Sequence, residues 1–403
     1  MPAKQYELQC DKLGYIDKYI PNLIFILFVF QQFGITYHLS AASFGLGLLA
    51  YLVRNEFTMS ALRESVVISV AITISFVAVI FKYGYSENLL RLFPTLICAM
   101  LLVLIFRKNT AIPAPNSRLV LITLFFICIV ALYQLFIDRS LQVPDSLLAK
   151  GEGSNISLAA DDSIYDYYTY MLRANSIYTE PSYFGMVLCS LYVLVLKSNQ
   201  KLKFFVITMI IITLMLSGSV LGIIGVMLLT SVLFNNRFNV FVFIFIFFLL
   251  FFLLFATTGF QWISDSIMGY DLSFVDRLSN IGDDGSFVVR LLNPIYLISE
   301  NINNVDLFGV PSDFYHHYLY TGLYSSLGDF PGHNGILSLI LHYGLAGVLV
   351  IFFVLRQLNS PLELIVLIIV ASQNGSFLTY DKVLSIMFVI FSIRKQTDLT
   401  VNE

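Results

Sequence analysis

Apolar residues in this chain neither alternate with polar ones nor keep to one side of a helix. They run on unbroken, as in FVFIFIFFLLFFLLF over 241–255. A helix that is apolar all round belongs in a large protein core or a membrane. The pattern marks twelve stretches: 20–35, 38–53, 65–82, 89–106, 119–137, 181–197, 202–217, 219–234, 238–257, 334–355, 361–373 and 380–394. One broken element over 361–394 is the alternative to its two stretches. The predicted fold is all-α: a polytopic integral membrane protein of about 12 transmembrane helices. Several stretches are shorter than the ~20 residues that a straight crossing prefers.

Charge orients these stretches. With the N-terminus in the cytoplasm, fifteen of the 23 Lys and Arg residues fall on the inner side and eight on the outer. Cytoplasmic segments carry the excess of cations, so both termini are predicted inside. Two long segments, 138–179 and 258–332, are then left outside. Loops of that length in a compact protein usually carry function, and the second is expected to form a cap of short helices. Both are acidic; the second sets nine Asp and Glu residues against only Arg277 and Arg290.

Composition narrows the class further. Hydrophobic residues make up 58% of the 403 and charged residues 12%, which excludes an ordinary soluble domain. No basic cluster points to nucleic acid. The first twenty or so residues are polar and lack the basic, then apolar, then small order of a cleaved signal peptide. The first apolar stretch is therefore expected to be retained, and 1–403 to be a single integral membrane domain. Cys10, Cys98, Cys128 and Cys189 have no CxxC or ligand spacing, which argues against a disulfide framework or zinc site.

Four places could carry chemistry. The first is RANSIYTEPSYFG, 173–185. Proline suits the first turn of a helix, so Glu180-Pro181-Ser182 reads as the outer start of the sixth stretch. The helix dipole there favours an ionised Glu180. Glu180 and Arg173 are either a structural ion pair or an acid/base group beside an anion-binding cation. The second place is PGHNGILSLILHYGLAGVLV, 331–350. His333 can exchange protons near neutral pH, or it rests on backbone at the interface. Asn334 is a candidate cap. His342, farther along, is expected to pack against another helix. The adjacent His316 and His317 make no chelating pair by themselves.

The third place is LSGSVLGIIG, 216–225. Ser217, Gly218 and Ser219 open a helix, where phosphate can bind; the plainer reading is a hairpin turn of small residues for close packing. The fourth is Arg290 in DDGSFVVRLLNP, 283–294. Amid apolar neighbours it needs an anion, either Asp283 or Asp284, or a phosphate gripped bidentately. Tyrosines such as Tyr165, Tyr178, Tyr183 and Tyr320 also crowd the outer segments. They form an interfacial belt or stack on sugar rings.

Taken in order, these segments resemble the O-antigen polymerase and ligase superfamily, the Wzy-type membrane glycosyltransferases. The carrying residues are Arg173…Glu180-Pro181-Ser182…Gly185, the Ser217-Gly218-Ser219 turn, Arg290, Leu307-Phe308-Gly309-Val310, and His333-Asn334-Gly335 with Gly344-Leu-Ala-Gly347. They span 173–347. Many relatives place Arg after the serine of the short turn, where this chain has Val220.

The resemblance implies an enzyme of the bacterial inner membrane. It would join undecaprenyl-diphosphate-linked oligosaccharide units at the periplasmic face, with no metal, cofactor or nucleotide sugar. A chain-length regulator protein is an implied partner. Arg290 and Arg173 would hold the diphosphate. His333 or Glu180 would act as base on the acceptor hydroxyl, with Ser217, Ser219, Asn334, Ser182 and Tyr183 in support. The Glu-Pro-Ser entry favours polymerase over O-antigen ligase. A lipid-linked glycan flippase is the competing class; it would place ionisable groups at mid-membrane in repeated halves, and no half-to-half repeat is visible.

Overall fold

The computed structural model describes residues 19–32, 37–52, 59–83, 89–137, 176–178, 181–198, 203–217, 219–233, 294–295, 298–299, 307–309, 335–372 and 377–399. Among them the chain is helical, with no strand. The helices are α1 (Tyr19–Val29), α2 (Tyr37–Leu52), α3 (Met59–Tyr83), α4 (Leu89–Ile105), α5 (Ser117–Phe136) and α6 (Pro181–Ser198). They continue with α7 (Lys203–Ser217), α8 (Val220–Leu233), α9 (Gly335–Tyr343), α10 (Leu345–Arg356), α11 (Pro361–Ala371) and α12 (Tyr380–Leu399). The predicted stretch 238–257 and nearly all of both long segments lie outside the described residues.

Two helices, α3 over Met59–Lys82 and α5 over Ser117–Gln134, are long and apolar enough to cross a membrane; seven others are shorter apolar helices. Their outer faces are apolar too. On α3, Val67, Val70, Ile74 and Phe81 are exposed, Phe81 to 86%. Helix α5 exposes Ile122, Phe126, Ile129 and Tyr133 at helical spacing. The core is equally apolar. Helix α12 lies at its centre, burying residues from Val383 to Ile393 against α2, α4, α6 and α11. Phe388 packs against Phe28 and Phe44, with ring centroids 5.1 and 6.1 Å away.

Helix ends meet in a consistent pattern. At one end, the Asn116 N–H donates to Asn22 Oδ1 (2.7 Å), and Asn116 Oδ1 caps α5 by accepting from the Arg118 N–H (2.9 Å). There too Arg107 pairs with Glu64, and its guanidinium lies 5.2 Å from the Phe353 ring centroid. Helix α11 begins at this end with Ser360 as N-cap and Pro361 in the first turn. Glu363 Oε2 reaches back to the Asn359 N–H at 3.0 Å, a variant of the capping box. Arg394 then binds Glu363 through Nε (3.0 Å) and Nη2 (2.8 Å). At the opposite end, Gln31 Nε2 donates to Ser385 Oγ (3.2 Å). Those of these contacts that run between helices join residues at or near helix ends.

Two of the departures from the sequence expectation have a visible physical cause. Helix α3 begins at Met59, six residues before the predicted 65, because Arg63 and Glu64 are carried on its first turns instead of ending it. The ion pair of Glu64 with Arg107 gives that carboxylate a partner. The second departure is larger. The predicted stretch 334–355 is two helices, α9 and α10, bent at Gly344, whose φ is +51°. A Cβ at Gly347 would lie 2.2 Å from the Leu339 carbonyl oxygen. A straight helix would hold two residues eight apart about 12 Å from each other, so the bend is sharp. The Leu345 N–H freed by the bend donates to the Leu307 carbonyl (2.9 Å), and Ser75 Oγ donates to the Tyr343 carbonyl (3.1 Å). Non-helical backbone buried in protein needs such substitutes.

Gly344→Ala tests the bend. Its Cβ would sit 2.0 Å from the Leu307 oxygen, on a backbone that favours glycine. The variant should lose about 1–3 kcal/mol from strain alone, melt at lower temperature in detergent, and expose 307–309 to protease. Wild-type melting and protection would show that Leu307 does not hold the bend.

Candidate functional site

The described site residues gather around the start of α6. Pro181 is its first residue, Ser182 is half-buried, and Tyr183 is buried. The turn between α7 and α8 packs directly on this helix. A Cβ at Gly185 would meet Ser219 Oγ at 2.4 Å and the Gly222 Cα at 3.1 Å, so both glycines are needed for the backbones to approach. Small residues at such crossings let helices touch without side chains between them.

Ser217 and Ser219 are both buried, and each is used locally. Ser217 Oγ donates to the Leu214 carbonyl (2.9 Å). The Ser219 N–H donates to that same carbonyl (3.2 Å), a bond that closes a helix across the intervening Gly218. Ser219 Oγ accepts from the Gly222 N–H (3.4 Å), capping α8. The geometry is that of a packed hairpin turn, in which the Ser219 and Gly222 N–H groups are both taken within the turn.

Ahead of α6, residues 176–178 form a separate turn. Tyr178 is buried, its ring centroid 5.6 Å from that of Tyr183 and 6.3 Å from that of Phe184. Its hydroxyl has no hydrogen-bond partner. Burial, reinforced by nearby Cys128, pushes the Tyr178 pKa well above the ordinary tyrosine value. The phenol therefore keeps its proton and remains a donor.

Sequence reasoning missed the group that holds this turn. Gln134 on α5 is buried, accepts from the Ser176 N–H at Oε1 (2.8 Å) and donates from Nε2 to the Ser176 carbonyl (2.7 Å). Ser176 Oγ donates to the Ile127 carbonyl (2.7 Å). The clue was an amide inside the apolar stretch 119–137, where an unpaired polar group is costly.

A second junction forms where 307–309 meets the α9–α10 bend. Besides the Leu307 carbonyl bond, Gly309 lies against the His342 backbone; a Cβ there would be 2.5 Å from the His342 carbonyl oxygen. Gly335, at the start of α9, packs on the end of α11; its Cβ would lie 2.6 Å from the Ala371 oxygen. Helix α11 in turn packs on α6 and α8. Arg173, Glu180, Arg290, His333 and Asn334 lie outside the described residues. Among the described residues, no three His, Cys, Asp or Glu side chains converge as metal ligands would.

A scan against models of protein families finds no match to this chain, and a search of curated proteins finds no relative of it.

Proposed function

We propose that this chain is a membrane glycosyltransferase of the O-antigen polymerase type. It joins undecaprenyl-diphosphate-linked oligosaccharide units at the periplasmic face of the bacterial inner membrane, with both termini in the cytoplasm. In this reading the apolar helices are crossings and their exposed Val, Ile and Phe side chains meet lipid. The clustered Arg107, Glu363 and Arg394 end is cytoplasmic, and the start of α6 is periplasmic.

One observation carries the reading. Segments that bear the resemblance, far apart in sequence, pack in pairs: the α6 entry around Gly185 on the Ser219–Gly222 turn, and 307–309 on the bend at Gly344. A chance scatter of degenerate motifs gives no reason for such pairing.

The mechanism follows from the residue chemistry. The bond from the anomeric carbon of the growing glycan to its diphosphate breaks. A new glycosidic bond forms to a hydroxyl of the incoming unit, and polyprenyl diphosphate leaves. Arg290 and Arg173 neutralise the departing diphosphate, a charge that increases in the transition state. His333 or Glu180 takes the proton of the attacking hydroxyl. Tyrosines of the outer segments line the path of the sugars.

The deciding experiment is the lipopolysaccharide ladder of a strain lacking the gene. Polymerase loss leaves bands at core plus a single unit. Core alone, with long glycan still on its lipid carrier, would identify a ligase instead. Core alone with single units trapped inside the cell would identify a flippase.

A further inference from the structure

Helix α5 is a ruler for the turn at 176–178. Ser176 Oγ donates to the Ile127 carbonyl, and the Ser176 N–H and carbonyl are both bonded to the Gln134 side chain. Ile127 stands nine residues before Phe136, the last residue of α5. That is about 13 Å of helix at 1.5 Å per residue. Helix carbonyls point toward the C-terminal end, so Ser176 lies about 10 Å, two turns, below the end of α5. Two residues span at most about 7 Å, so Tyr178 stays below that end as well.

The outside of α5 is apolar at this level. Ile127 falls within the part of α5, Ser117–Gln134, that is long and apolar enough to cross a membrane. Ile122, Phe126, Ile129 and Tyr133 are exposed on either side of it, and the exposed apolar face continues through Phe136 and Ile137. The turn therefore sits beneath the rim of that face.

Backbone that is not helical is tolerated at membrane depth only where it is buried in protein or lines a water-filled cavity. Ser176, Ile177 and Tyr178 are all buried. The N–H, carbonyl and hydroxyl of Ser176 each have a partner on α5. A primary amide presents a donor and an acceptor in one plane, so one side chain serves both groups of the peptide backbone. The same contact accounts for an amide at 134 in an apolar stretch. Ser176 has φ +56°, a conformation that L residues rarely adopt. Such backbone persists where its surroundings over-determine it, as the bonds to α5 do here.

We propose that residues 176–178 form a re-entrant turn, set inside the outer leaflet beside the middle of α5. The inference rests on the reading in which α5 crosses the membrane and ends at the periplasmic face. Helix α6, which begins three residues after Tyr178, is then launched from a turn held within the bilayer and not from a loop in water. A substrate borne on a lipid arrives from that side.

The test uses the full-length protein in lipid nanodiscs. Amide hydrogen exchange across 176–178 should be slower than in an open loop by orders of magnitude. Gln134→Leu should speed it severalfold, with the helical circular-dichroism spectrum intact. Depth is read separately, from a spin label at Ile129→Cys in a chain otherwise free of cysteine. Ile129 is exposed and two residues from Ile127. Oxygen, which concentrates among acyl chains, should relax this label more than a water-soluble nickel complex does.

Slow exchange together with a deep label supports the turn. Fast exchange beside a deep label, or exchange that folded Gln134→Leu leaves unchanged, overturns the turn while the crossing by α5 stands. A label relaxed mainly by the nickel complex removes the crossing itself, and the inference falls with it. The parent exchange and the label depth both leave Gln134 and Ser176 in place, so they decide the matter even if Gln134→Leu fails to fold.

Discussion

With His333 as the base of the proposed polymerase, His333→Ala should lower chain extension by about two to four orders of magnitude, the usual contribution of a positioned general base. Arg290→Ala should cost about two to three orders, comparable to removing one charge-stabilising donor. On a gel, either loss collapses the lipopolysaccharide ladder to core plus one unit. Protein recovered from the membrane should stay at the wild-type level, which separates lost chemistry from lost folding. Glu180→Gln divides the proton-transfer role: if Glu180 is the base, this variant takes the larger loss and His333→Ala the smaller, and if His333 is the base the order reverses. Full ladders from both His333→Ala and Arg290→Ala would remove those residues from the site and, with them, the proposed handling of diphosphate.

Arg394→Ala should be the most destabilising single change at the opposite end of the bundle. The Arg394 side chain is 6% exposed and that of Glu363 2%. Every N–H of the guanidinium is used. Nε and Nη2 grip the two Glu363 oxygens; Nη2 also reaches the Gln357 carbonyl (2.7 Å), while Nη1 reaches the carbonyls of Arg107 (2.5 Å) and Thr110 (3.3 Å). The guanidinium lies beside two rings, 5.3 Å from the Phe106 centroid and 5.5 Å from that of Phe391. Removing one partner of a buried pair strands the other charge and costs about 3–5 kcal/mol. Here three carbonyls lose their donor as well. Lysine at 394 cannot substitute, because it lacks the planar fork that binds both carboxylate oxygens. A double-mutant cycle of Arg394→Ala with Glu363→Ala, read as unfolding in detergent, should give a coupling of about 1–3 kcal/mol. Strictly additive losses would mean that the two side chains act separately.

How far the fold was legible depended on the range of each cause. The described helices came through because continuous apolar runs are local, but the caps at Asn116 and Ser360 were not read, and the fifth stretch was placed at 119 instead of Ser117. The bend at Gly344 did not come through. Tyr343, Gly344 and Leu345 continue an apolar run, and what breaks the helix is a carbonyl at Leu307, supplied from the preceding segment. The close approach of Gly185 to Gly222 agrees with the small-residue reading of the turn, since glycine spacing is visible locally even when its partner is not. Glu363 was passed over although Ser360 three residues before it gives the capping-box signature. Its binding of Arg394, 31 positions later, has no trace in local pattern. Gln134 was readable as an anomaly, an amide in an apolar stretch, but not as the clamp on Ser176. Of the residues proposed for chemistry, Arg173, Glu180, Arg290, His333 and Asn334 lie outside the described residues, whereas Ser217 and Ser219 bond within their own turn.

The central position of α12 carries a consequence for how the protein is made. The helices it packs against, α2, α4, α6 and α11, all come earlier in the chain, and so do the carbonyls and the carboxylate that receive Arg394. A ribosome delivers those parts first. Until residues 380–394 emerge, the nascent bundle holds an open slot lined with apolar side chains and an acidic Glu363 awaiting its cation. Packing of the earlier helices must therefore be followed by a late step in which α12 closes the slot. A product arrested before it would leave Glu363 without its cation in an apolar cleft.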